Sequence, residues 1–195
     1  TGNDGNNQLR GGAGNDTLVG GGGIDAALFS GNKAAYTITN NAGALAIAGT
    51  DGNDSLSTIE RLHFDDVKLA FDLDANAGLT AKLLGAVAGK DSIANKQFVG
   101  IGLSALDNGT SLPDLMQLAL DTVLGTGFSN DAVVTLLFNN LAGAPPPAPD
   151  LATFVGLIDN GTYTPVSLAI LASDNELNTN NINLIGLSTS GLEFI

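Results

Sequence analysis

Three residues able to ligate a cation, Asn7, Asp16 and Asp25, follow one another at nine-residue intervals. Each closes a glycine-rich hexapeptide: GNDGNN at 2–7, GGAGND at 11–16 and GGGGID at 20–25. A fourth hexapeptide, GTDGND at 49–54, ends at Asp54. Side-chain oxygens repeated at one point of a glycine loop, with loop carbonyls beside them, are the donor set of a hard cation. Ca²⁺ collects about six to eight such oxygens at ~2.3–2.6 Å. The chain has no cysteine, which excludes thiolate metal sites, disulfides and cysteine nucleophiles together.

The elements that must position these oxygens lie in the same segment. After each hexapeptide comes x-U-x, with U a large apolar residue. Residues 2–10, 11–19 and 20–28 therefore fit G-G-x-G-x-D-x-U-x, and 49–57 fits with Thr50 in place of the second glycine. The glycines permit positive φ and let carbonyls point into a shared space. The tripeptide is a short strand with U facing inward. Leu9 and Leu18 hold that position; Ala27 holds it in the third repeat, which predicts that this repeat is the frayed end of the array. A flexible glycine-rich linker would not keep this phase across consecutive nonapeptides, nor set Leu9 and Leu18 in register.

This nonapeptide resembles the calcium-binding repeat of RTX proteins. The resemblance implies a short parallel β-roll with two repeats per turn, so that loop 2–7 stacks on 20–25 and 11–16 on 49–54. Asn7 then faces Asp25, and Asp16 faces Asp54; Asn7 keeps an oxygen ligand but drops a charge. The expected surroundings of calcium are the side chains of Asp4, Asn7, Asp16, Asp25, Asp51 and Asp54. The loop positions Gly11, Ala13, Gly14, Gly20, Gly22 and Gly23 complete them. Residues 24–74 extend the resemblance. In IDAALFSGNKAAYTIT and beyond, Tyr36, Ile38, Leu45 and Ile47 alternate around a β-hairpin turn at Asn40-Asn41-Ala42-Gly43. STIERLHFDDVKLAFDLD resembles the strand pair that caps such rolls and keeps their apolar end from water.

From about Ala77 the apolar period changes from two to roughly 3.6. Helices are predicted over 78–88, 94–106, 112–124, 130–140, 151–159, 165–173 and 174–186. Ser111 and Asp150 are placed as N-caps, and Gly109 and Gly161 as stops. LDNGTSLPDLMQLAL at 106–120 parallels IDNGTYTPVSLAILA at 158–172, which reads as a duplicated helical unit. With Ser173-Asp174-Asn175-Glu176 and the ending LIGLSTSGLEFI, this half resembles the helical domain of uncharacterised function that often follows RTX repeats. It departs from that family where an R-x-P-D…G…Y-W segment belongs, and the chain has no tryptophan. The fold class expected is α+β: a β-roll with its hairpin cap over 1–74, then an all-α domain over 75–195.

Charge narrows the partners. There are 10 acids and 4 bases up to Asp74, and 10 acids and 3 bases after it. Neither half is a nucleic-acid module, and an anionic membrane surface would repel both. No apolar run approaches the ~20 residues needed to span a bilayer, so no membrane insertion is expected. Catalytic motifs are missing: there is no G-x-S-x-G, no H-E-x-x-H, and GAVAGKD at 85–91 lacks phosphate-loop spacing. His63, the one histidine, sits between Leu62 and Phe64 on a strand that turns it outward. Asp65 and Asp66 suit a turn or a calcium site equally. The expectation is a non-enzymatic folding and export module, secreted or held at the cell surface, with Ca²⁺ as cofactor. By resemblance its partners are the type I secretion machinery, with a signal around 184–195, and surfaces or copies of itself. The parent protein is expected to be a surface structural protein, an adhesin or S-layer subunit. The alternative is the export tail of a secreted hydrolase with its catalytic domain upstream.

Overall fold

In a computed structural model, which describes residues 1–41 and 43–195, the glycine loops lead into short strands. These are β1 (Gln8–Leu9), β2 (Thr17–Val19) and β3 (Ala26–Leu28) after the first three loops. The expected hairpin turn at 40–43 includes Ala42, which lies outside the described residues. β4 (Tyr36–Asn41) and β5 (Ala44–Gly49) lie on either side of that residue in the chain, and β6 (Gly52–Ser57) carries the fourth repeat. β7 (Arg61–His63), β8 (Lys68–Ala70) and, far along the chain, β9 (Leu192–Phe194) follow. Glycines that keep φ positive, such as Gly12 (φ 95) and Gly21 (φ 116), stand between successive strands and stop them lengthening.

The strands form two small sheets, ordered β1-β3-β7-β8-β9 and β2-β6-β5-β4. Alternate repeats thus go to opposite sheets. β1, β3 and β7 pair in parallel, as do β2 and β6, with Gln8 opposite Ala26 and Thr17 opposite Ser55. β4, β5 and β6 pair antiparallel, as do β7, β8 and β9. Leu18, Leu45, Ile47, Leu56, Leu62 and Leu69 fill the core, each contributing about 1.5–3 kcal/mol by burial. Phe29, Tyr36 and Phe64 pack on one another with ring centroids 5.2–5.3 Å apart.

One expectation needs correction here. The third repeat is not a frayed end: β3 is hydrogen-bonded on both edges, and Ala27 is fully buried opposite Leu62. Main-chain pairing on both sides holds a strand whose small side chain supplies little. The chain divides into Thr1–Ala77 with Ile185–Ile195, and Gly78–Leu184. β9 pairs with the free edge of β8, Leu192 opposite Ala70, and Leu192 is buried there.

One ion pair is buried in the first unit. The Arg61 guanidinium donates to Asp72 Oδ1, and Asp72 Oδ2 accepts from the Ala77 N–H at 3.2 Å. Burial pushes the Asp72 carboxyl above its usual range, although Arg61 pulls it back.

The second unit is helical. Its elements are α1 (Asn76–Ala88), α2 (Lys96–Asp107), α3 (Leu112–Leu124), α4 (Asn130–Ala142), α5 (Ala148–Asp159), α6 (Pro165–Ser173) and α7 (Glu176–Asn181). α8 (Leu184–Ser190) starts at its end. Asn95, Ser111, Ser129 and Thr164 cap their helices through side-chain oxygens, each contributing about 1 kcal/mol. Asp150 is not a cap. α5 starts earlier, at Ala148 after Pro147, because Pro149 fits the first turn where no N–H is needed. Met116, Leu120, Val133, Val134, Leu137 and Ala169 lie at the centre of the core. Asn178, also buried, donates to the carbonyls of Lys82 and Ser173, both at 2.8 Å. No helix among the described residues is long and apolar enough to cross a membrane.

Candidate metal centre

The parallel register of β1 on β3 and of β2 on β6 stacks the loops that precede those strands. Asn7, Asp16 and Asp25 stand one residue before β1, β2 and β3, and Asp54 lies within β6, so the pairing brings these side chains onto neighbouring turns. The Asn7 N–H donates to Asp25 Oδ1 at 2.7 Å, and the Asp16 N–H to Asp54 Oδ1 at 2.9 Å. Around them the loops interlock. Ile24 N–H donates to Asn6 Oδ1 (2.8 Å) and Asn53 N–H to Asn15 Oδ1 (2.9 Å). Gly22 N–H reaches the Asn3 carbonyl at 3.1 Å, and Gly14 N–H the Asp51 carbonyl at 2.7 Å.

What remains unsatisfied is specific. Asp16 Oδ2 and Asp25 Oδ2 are buried and have no hydrogen-bond partner. A buried carboxylate oxygen without a donor costs several kcal/mol unless a positive charge faces it. Glycine makes the space around both. A Cβ on Gly11 would overlap the Asp16 carboxylate, and one on Gly20 would overlap Asp25 Oδ2 and the Thr58 carbonyl. Glycine thus lets both carboxylates pack against the main chain, joined at Gly20 by a carbonyl, and carboxylate and carbonyl oxygens are the donors that calcium takes. Among the described residues no three acidic, histidine or cysteine side chains cluster as a metal site. Main-chain carbonyls must therefore supply much of any coordination.

The predicted site residues do not all converge. Asn7, Asp16, Asp25 and Asp54 take the paired positions described above. Asn7 is already occupied, its Oδ1 accepting from the Asn3 N–H at 2.6 Å. Asp4 lies beside Gly22, and Gly23 sits against Gly5 and Asn6. The Gly14 carbonyl faces Gly52, while Ala13 is exposed at the loop tip. The Asp51 side chain turns away from the loop stack, its Oδ2 accepting from the Ser30 N–H at 3.0 Å. Asp65 and Asp66 accept from the N–H groups of Gly31 and Lys33, so they tie a turn. His63 is half-buried rather than solvent-facing, with the Phe194 ring 6.2 Å away. Burial lowers its pKa, and the Lys68 and Arg61 charges add to that.

One residue of this ladder escaped the sequence reading. Glu60 Oε2 accepts the Asp25 N–H at 2.8 Å, as Asp25 does for Asn7. Burial pushes the Glu60 carboxyl above its usual range, and the charge of Asp25 adds to the effect. The signal was present as an acid-x-Leu-x pattern: Asp16-Thr-Leu-Val, Asp54-Ser-Leu-Ser, Glu60-Arg-Leu-His.

The family model of the RTX calcium-binding nonapeptide repeat, in four copies, matches residues 1–26. Residues 1–26 are an RTX repeat segment. RTX nonapeptide repeats bind calcium. Among solved structures, the crystal structure of the extracellular lipase LipA from Serratia marcescens is similar to part of the chain at 22% identity. The overlap covers 32% of this chain and 13% of that one, with a TM-score of 0.27. The chain therefore spans a small part of the lipase's length. No curated protein matches it.

Proposed function

We propose that the RTX segment and the strands after it form a short parallel β-roll that folds when calcium arrives, within a secreted protein. One observation carries this reading: the buried, unpartnered oxygens of Asp16 and Asp25, each held in a cradle that only glycine leaves open. Without a cation these oxygens oppose folding, and glycine loops lose much conformational entropy on ordering. Bound calcium supplies the positive charge that makes the stacked loops favourable. The donors proposed for it are the Asp16 and Asp25 carboxylates, with Asp54, Asn7 and the carbonyls of Gly11, Ala13, Gly14, Gly20, Gly22 and Gly23 around them. Asp4 contributes from the loop edge, and Asp51 through its carbonyl.

The magnitudes suit a switch. A site with a dissociation constant of ~10⁻⁴ M contributes about 1.4 kcal/mol at millimolar Ca²⁺. Two such sites add about 3 kcal/mol, enough to decide the state of a marginal unit. Where calcium is scarce the segment stays unfolded, the form that a type I secretion channel can thread; outside the cell it folds. The acidic charge of −13 accords with a calcium-rich destination. The helical unit has its own apolar core and folds without the ion. Its matched turns at Gly109 and Gly161, both with positive φ, support descent from a duplicated unit. The parent protein is read as a surface structural protein.

The experiment is a calcium titration followed by far-UV circular dichroism and calorimetry, with EDTA and Mg²⁺ as controls. Strand signal that appears cooperatively between about 0.1 and 1 mM Ca²⁺, over helix signal that persists in EDTA, is expected. A spectrum indifferent to calcium overturns the reading.

A further inference from the structure

We propose that the turn Thr58-Ile59-Glu60, which is no part of a nonapeptide, completes the calcium site of Asp25 at the end of the roll. The proposal rests on the calcium reading of the repeats and extends it to residues outside the motif. The repeat motif pairs loop 20–25 with loop 2–7, yet the open oxygen of Asp25 does not serve that pair. On that side Asp25 Oδ1 takes the Asn7 N–H, and Asn7 closes upon Asn3. Asp25 Oδ2, buried and without a donor, lies against the Cα of Gly20 instead, where the Thr58 carbonyl oxygen also arrives. Asp25 as a whole is 0% exposed.

An anionic oxygen and a carbonyl oxygen packed against the same glycine, with no proton offered to the anion, repel each other unless a cation lies close to both. The turn is built to keep them there. Thr58 is held at φ 49, a left-handed conformation that a β-branched residue adopts only against steric strain. Its hydroxyl accepts from the Gly21 N–H at 2.9 Å, and the Ser57 carbonyl accepts from Gly20 N–H at 3.1 Å. Both bonds lock the turn onto loop 20–25. Glu60 is fixed by Oε2 on the Asp25 N–H, which sets a second carboxylate beside Asp25. The donor set is then two carboxylates and the Thr58 carbonyl, with water free to fill the rest: hard oxygens of the kind calcium takes. A shortened turn thus stands where a further nonapeptide loop would lie.

The test counts calcium on the whole 195-residue chain by native mass spectrometry and equilibrium dialysis, for the wild type, Glu60→Gln and Asp16→Asn. Each variant is checked by circular dichroism at saturating calcium. Glu60→Gln is expected to hold one ion fewer than the wild type, and Asp16→Asn to lose an ion of its own. A full count in Glu60→Gln, with Asp16→Asn still depleted, overturns the cap site and leaves the calcium reading standing. A wild type that binds no calcium overturns both. If Glu60→Gln does not fold, Glu60→Asp decides: the carboxylate is kept but drawn back by one methylene. Weakening of one site by roughly tenfold supports the proposal, and unchanged affinity at every site sinks it.

Discussion

The main-chain N–H of Asp16 donates to Asp54 Oδ1 at 2.9 Å, joining residues 38 apart in the chain. The bond holds one carboxylate in place while Asp16 Oδ2 stays buried without a partner. Order in these loops is thus purchased with an anion that only a cation can satisfy.

Asp16→Asn therefore has opposite effects in two conditions. In EDTA, where the wild-type segment stays unfolded, the variant is relieved of an uncompensated buried charge, so its balance is expected to shift towards the folded state by about 1–3 kcal/mol and its strand signal to rise. With millimolar calcium it is the less stable of the two, and its folding midpoint moves to a calcium concentration roughly tenfold higher. Far-UV circular dichroism in EDTA and urea denaturation in calcium read the two signs. A variant weaker in both conditions would mean that Asp16 is only a structural hydrogen-bonding residue.

Gly20→Ala places a methyl group on Asp25 Oδ2 and the Thr58 carbonyl. Gly31→Ala meets open space and carries only the strain of φ 88. The second variant is expected to lose about 1–2 kcal/mol with its calcium affinity unchanged. Gly20→Ala is expected to lose calcium affinity as well, because the cradle itself is filled. Isothermal calorimetry separates the two.

Arg61→Met strands the Asp72 carboxylate in the core and is expected to cost about 3–5 kcal/mol. Pairing it with Asp72→Leu removes the stranded charge, so the double variant should recover most of that loss. A thermodynamic cycle by urea unfolding in calcium measures the difference. A double variant as unstable as Arg61→Met would show that shape, not charge, makes the pair necessary.

His63 gives the folded state a pH dependence whose sign is set by burial. Its folded pKa lies below the unfolded value of about 6.5. The unfolded chain thus binds the proton more tightly, and folding is weakened as pH falls through about 6.5 towards the folded value. Above 6.5 the histidine is neutral in both states and the penalty is absent. Lys68, across the sheet, and Arg61, two residues away, lower the folded value further. Stability measured from pH 5 to 8 should therefore fall more steeply on the acid side for the wild type than for His63→Gln. Parallel curves would show that His63 is solvated in solution.

Local patterns were enough to read much of this protein. Nonapeptide phase located the loops and, with the resemblance it carried, set Asn7 beside Asp25 and Asp16 beside Asp54. Apolar periodicity and the caps at Ser111, Gly109 and Gly161 placed the helices, because those signals act within one or two turns of chain. The same locality explains the misses. Asp150 looked like a cap, yet Pro149 starts α5 one turn earlier than the apolar pattern suggests. Ala27 looked like the fraying end of a repeat, yet β7 pairs with it from beyond position 60. Glu60 was read as part of a cap strand, and its place in the acidic ladder depends on which turn settles over Asp25. β9 carries no local mark of its partner; β8 selects it only once β7 has left that edge free. Repeat spacing and helix periodicity are properties of neighbours along the chain, and the sequence determined them alone. Which oxygens are left buried without a donor depends on residues 18 to 38 positions apart meeting in register, and only the tertiary structure decided that.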